Sequence, residues 1–117
     1  MKQGTIKEIG AQAIDAKERM LIFFGEEASD ALREYSVIQS LPDSAEVVVK
    51  KDDQILFGDQ AYRVQYVGTV ANQILQTIQH VTFVFDEVPA ENQLSSAIYL
   101  TPSVLPTLAV GMKVTYK

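Results

Sequence analysis

The chain has 117 residues, enough for one hydrophobic core and too few for two domains of ordinary size, so residues 1–117 are expected to form a single domain. Hydrophobic residues make up 47% and charged residues 21%, which excludes the low-hydropathy, high-charge profile of a disordered chain. A formal charge of -5 argues against a nucleic-acid partner, which selects a basic face, and the absence of Cys removes disulfides, thiolate zinc sites and cysteine nucleophiles.

Residues 4–10 and 18–25 read as strands, the second (ERMLIFFG) rich enough in Leu, Ile and Phe for burial on both faces. Residues 26–34 (EEASDALRE) combine helix formers with acids near the start, where they favour the helix dipole. Tyr35–Ser40 returns to strand composition before Leu41-Pro42-Asp43-Ser44 breaks it, which puts Gln39 at a strand end. The stretch EVVVKKDDQILFGDQAYRVQYVG holds three apolar runs separated by two polar turns and predicts an antiparallel meander.

In residues 70–79, Val70, Ile74 and Ile78 recur at intervals of four and predict a second short amphipathic helix. His80–Val88 alternates Val81, Phe83 and Phe85 with Thr82, Val84 and Asp86, a strand pattern. Residues 89–95 form a polar loop, and SAIYLTP and GMKVTYK supply the last strands. Many short strands with two brief helices predict an all-β fold, mainly β with two short helices, arranged as a small closed six-stranded barrel. No apolar run approaches the ~20 residues that span a bilayer, and MKQGTIKEIG lacks an apolar signal core, so the chain is expected to be cytoplasmic and not membrane-embedded.

The single histidine, His80, is the one side chain able to act as a nucleophile toward phosphorus, a proton acceptor near neutral pH or a donor to an anion. A half-buried ring hydrogen-bonded to backbone near a strand end is the competing structural reading. The acid pairs Glu26-Glu27, Asp52-Asp53 and Asp86-Glu87 sit in turns, at a helix start or on strand neighbours that face opposite ways, so no metal site is expected. No cofactor is expected either. A Gly-x-Ser-x-Gly elbow is missing, and Val67-Gly68-Thr69 lacks the pattern of a phosphate-binding glycine loop. Tyr62, Tyr66, Phe83 and Phe85 have few basic neighbours and fit core packing better than base stacking.

Several local patterns occur in a fixed order: Ile9-Gly10, Met20-Leu21-Ile22 with Phe24, Leu32-x-Glu34-Tyr35-x-x-Ile38, Tyr62-Arg63-Val64, Val67-Gly68-x-Val70-Ala71, and His80-Val81-Thr82-x-x-Phe85-Asp86. Over roughly residues 5–116 they resemble the glucitol/sorbitol-specific enzyme IIA proteins of the bacterial sugar phosphotransferase system (PTS). The resemblance implies a small closed barrel that relays a phosphoryl group from the phosphocarrier HPr to a IIB/IIC permease component. It places the family's phosphoryl-carrying histidine directly after the Ile of Tyr-x-x-Ile, where this chain has Gln39. A carboxamide nitrogen is delocalised into its carbonyl and is a very weak nucleophile, although its NH₂ can still donate to an anion. His80 matches a family histidine and, by analogy with other IIA types, is expected to face Gln39. Two outcomes follow: His80 has become the phosphohistidine or a phosphate-stabilising residue, or the chain is a non-enzymatic regulatory or binding relative that no longer carries phosphate. Exposed strand edges or apolar patches would support a homodimer.

Overall fold

The computed structural model describes residues 2–15 and 17–117. In chain order it contains β1 (Lys2–Ile9), β2 (Met20–Phe24), α1 (Asp30–Glu34), β3 (Val37–Ser40), a 3₁₀ turn (Ser44–Glu46), β4 (Gln54–Phe57), β5 (Gln60–Val67), α2 (Ala71–Ile78), β6 (Val81–Val84), β7 (Ala97–Thr101) and β8 (Lys113–Tyr116). The strands close into one barrel in the order β1-β3-β2-β6-β7-β5-β4-β8, with β8 returning to β1. The mainly β, closed-barrel expectation is met, but the ring has eight strands rather than six. Two parallel pairings, β2 with β3 and β6 with β7, interrupt an otherwise antiparallel ring. Strand count escapes the sequence because periodicity shows which segments are extended, not which of them pair.

The inner faces follow the period-two rule. Leu21 and Phe23 of β2 are buried while Ile22 and Phe24 are half-buried on the other face. Phe23, Phe57, Phe83, Phe85 and Tyr62 form one aromatic cluster, with Phe23–Phe83 and Phe57–Phe83 edge-to-face at 5.2 and 5.3 Å between ring centroids. Such pairs add about 0.5–1.5 kcal/mol each beyond the area they bury. An eight-stranded barrel has an interior that side chains just fill, and these rings fill it here. Tyr66 belongs instead to a smaller outer cluster with Tyr99.

Two local expectations are corrected. The first helix is shorter than residues 26–34: extended Ser29 caps it, its Oγ accepting from the Leu32 N–H, and Glu26-Glu27 lie in a turn before it. The meander contains only the β4–β5 hairpin; the run at Val47–Val49 is extended and buried at both ends but pairs with no strand. Side chains of α2 take its backbone instead. Asn72 Oδ1 accepts from the Val49 N–H at 2.8 Å, Asn72 Nδ2 donates to the Val49 carbonyl at 2.9 Å, and Gln76 Nε2 donates to the Val47 carbonyl at 2.7 Å. Ala71 and Leu75 of α2 face the core, while Val70, which caps the helix, and Ile78 of the expected stripe are exposed.

Candidate functional site

Three chain segments converge at one end of the barrel wall: the end of β2 at Phe24-Gly25, the end of β3 at Gln39-Ser40-Leu41, and the C-terminus of α2 at Ile78-Gln79-His80. Gln79 holds them together. It caps α2 in the left-handed conformation, φ 57°, which ends the helix and turns the chain toward β6. Its side-chain Oε1 accepts from the Leu41 N–H at 3.2 Å, and its carbonyl accepts from Gln39 Nε2 at 3.4 Å. A β-carbon at Gly25 would lie 3.1 Å from Gln79 Cδ and from the Ile78 carbonyl, so the close approach of β2 to this turn favours a residue without one.

Gln39 shares the inner face of β3 with Val37 and is fully buried. Its Oε1 accepts a hydrogen bond of 2.8 Å from the Tyr116 hydroxyl, so both ends of the carboxamide are engaged within the protein. Burial pushes the Tyr116 phenol well above its ordinary value, and the hydrogen bond to Gln39 offsets part of that rise. The strand alternation of Met112, Val114 and Tyr116 places Tyr116 inside; an inward tyrosine in an apolar strand calls for a polar partner, and this is the signal in the sequence that points toward Gln39. Gln79 leaves no comparable signal, because its role depends on the left-handed turn.

His80 lies just before β6 and is half-buried. Its ring stacks on Phe24, with centroids 4.1 Å apart and planes at 11°. Phe24 follows the inward Phe23, so the stack sits on the outer face of the wall. His80 Nδ1 lies 3.1 Å from the Phe23 carbonyl, an atom that can only accept; in the neutral ring the proton therefore sits on Nδ1 and the lone pair on Nε2. Gln39 and His80 are thus neighbours through Gln79 but do not hydrogen-bond to each other.

Beside them a cleft of about 630 Å³ opens between α1 and α2. Gly25, Glu26, Glu27, Leu32, Leu41 and Ile78 are among its lining residues, whereas Gln39 and His80 are not. Arg33 braces the cleft from behind: its guanidinium donates to the Glu26 carbonyl, to the Ala28 carbonyl at 3.0 Å and to Glu8 at 2.8 Å. Of the other acid pairs, Asp52 is bound by Arg63, whose hydrogen bond holds the carboxyl below its ordinary range, and Asp53 accepts from the Lys50 N–H at 2.9 Å. Asp86 lies 3.8 Å from Arg19. No group of three potential metal ligands occurs among the described residues, and no helix among them is long and apolar enough to cross a membrane.

Comparison with known proteins gives a consistent result. The family model described as the PTS system glucitol/sorbitol-specific IIA component matches residues 1–115. The chain is 34% identical over 110 residues to the PTS system glucitol/sorbitol-specific EIIA component of Escherichia coli, covering 93% of this chain and 88% of that protein. The corresponding protein of Shigella flexneri matches to the same extent. A crystal structure of a PTS system IIA component from Enterococcus faecalis superposes with a TM-score of 0.95 at 40% identity, over 97% of this chain and 98% of that one. The sequence, the eight-stranded barrel and these likenesses agree: the chain belongs to the glucitol/sorbitol-specific IIA component family of the PTS.

Proposed function

We propose that this chain takes the IIA place in a sugar phosphotransferase system as a binding or regulatory component, engaging an HPr-like phosphocarrier and a IIB/IIC permease component without carrying phosphate at position 39. The observation that supports this reading is the state of Gln39: a carboxamide in place of an imidazole, fully buried, with Oε1 held by Tyr116 and Nε2 directed at the Gln79 carbonyl. A carboxamide nitrogen, delocalised into its carbonyl, is too weak a nucleophile to attack phosphorus there.

One observation favours a second reading. The Phe23 carbonyl fixes the His80 proton on Nδ1 and leaves the Nε2 lone pair available, the arrangement an imidazole needs to accept a phosphoryl group. The two readings separate in a relay assay. Labelled phosphoenolpyruvate, enzyme I, HPr and a IIB domain are incubated with and without the chain, and label reaching the IIB domain is followed. Equal rates with and without the chain fit the binding reading. Acceleration that disappears in His80→Ala would replace it with the second.

A further inference from the structure

Helix α2 meets the barrel through one side and shows solvent an apolar ridge on the other. Ala71 and Leu75 are buried against the core, and the Asn72 and Gln76 amides bond the Val47–Val49 backbone. The opposite side carries Val70, Ile74 and Ile78, spaced by four residues and so aligned along the helix. Val70 is 39% and Ile78 51% exposed, with half-buried Ile74 between them. Gln73 and Thr77, the other exposed residues of α2, are uncharged, and the Thr77 hydroxyl is turned back onto the Gln73 carbonyl at 2.9 Å. The whole stretch of residues 64–85 contains no Asp, Glu, Lys or Arg, in a chain that is 21% charged.

A row of exposed branched aliphatics without a charge among them marks a contact surface. Charged side chains are what a surface uses to select a partner unlike itself and to speed its approach, and this face has none. Two copies of the chain, each with a formal charge of -5, repel one another, so an uncharged face is where they can meet with least repulsion. Contacts between identical chains are also more apolar and poorer in charge than contacts between different proteins. The spacing suits such pairing: a two-fold axis at Ile74 sets two α2 helices antiparallel, with Ile74 against its counterpart and Val70 of each copy against Ile78 of the other.

We infer that the Val70–Ile74–Ile78 ridge is a homodimer contact, its occupant the same ridge of a second copy. Ile78 also borders the cleft beside Gln79, so the pairing stands a second copy at the edge of each candidate site. The inference is independent of whether the chain carries phosphate.

The test is sedimentation equilibrium of the full chain over a range of concentrations at low and high salt, repeated with Ile78→Glu, Val70→Glu and the control Val104→Glu. Val104 is exposed and lies by Tyr62 near the start of β5, whereas α2 follows the end of that strand. Thermal unfolding of each variant checks that the barrel is intact. The expected result is a dimer that strengthens as salt screens the repulsion between copies, weakens about tenfold or more in Ile78→Glu and Val70→Glu, and is unchanged in Val104→Glu. The chain has no Cys, so Ile74→Cys supplies a single thiol that a short bis-thiol reagent should join to its counterpart, while Val104→Cys stays unlinked. A chain that is monomeric at every concentration, or a dimer indifferent to both α2 substitutions, would overturn the inference. A monomer that binds HPr and loses that binding in Ile78→Glu would give the ridge to a different protein and overturn the self-pairing as well.

Discussion

The Tyr116 hydroxyl donates to Gln39 Oε1 at 2.8 Å inside the barrel, joining the last strand to the position where the family resemblance expects an imidazole. Tyr116→Phe removes the donor and strands a fully buried carbonyl oxygen, a loss of about 1–3 kcal/mol. Gln39→Leu combined with Tyr116→Phe removes both partners, and its loss should be smaller than the sum of the two single losses. Urea unfolding of the four proteins measures this; strictly additive losses would show that the pair is not coupled.

The same phenol gives stability a dependence on alkaline pH. Its folded pKa is raised above the ordinary 10.0, chiefly by burial, so the folded chain holds this proton more tightly than the unfolded one. The unfolded state begins to release it near pH 10, and from there the stability contributed by the protonated phenol is progressively lost as pH rises toward the folded value; below about pH 9 it is fully present. Tyr62, also raised by burial, acts in the same direction. Denaturation midpoints measured from pH 8 to 11 should fall above pH 10, and less steeply in Tyr116→Phe.

Asn72 pairs with both backbone polar groups of Val49, doing for the Val47–Val49 segment what a neighbouring strand would do. Asn72→Ala leaves these groups unpartnered and should destabilise the protein by about 1–3 kcal/mol. Hydrogen exchange at the Val49 amide should quicken more than at the strand amides of β4 and β5. Unchanged protection at Val49 would show that the amide pair does not hold the segment.

Gln39→His returns a ring nitrogen to a position where the Gln79 carbonyl can accept from one ring N–H, so that the other nitrogen, released from the Tyr116 hydroxyl, has a lone pair for phosphorus. Incubated with phosphoenolpyruvate, enzyme I and HPr, this variant should acquire an acid-labile, alkali-stable phosphoryl adduct. An unlabelled variant with an unchanged thermal transition would count against an inherited site.

Part of the barrel was legible because β6 and β8 lie where alternation and β-branched or aromatic content put them; β2 lies where its Leu, Ile and Phe content put it, but it is fully buried on one face only, not on both as expected. Val47–Val49 has the same composition yet no strand partner, since two amides on α2 satisfy its backbone, and such a tertiary contact has no local signature. Of the candidate site, the types and order of Gln39 and His80 were readable. Their separation by the Gln79 turn, with one side chain inward and the other stacked on Phe24, was not, because it follows from a left-handed helix cap and from the β2–β3 pairing.

The intact mass of the chain, recorded after incubation with phosphoenolpyruvate, enzyme I and HPr under conditions where HPr itself becomes phosphorylated, tests most directly whether the chain no longer carries phosphate. The chain should keep its unmodified mass while HPr gains a phosphoryl group. A phosphoryl adduct on the chain, mapped to the peptide holding Gln39 or to the one holding His80, would contradict that conclusion.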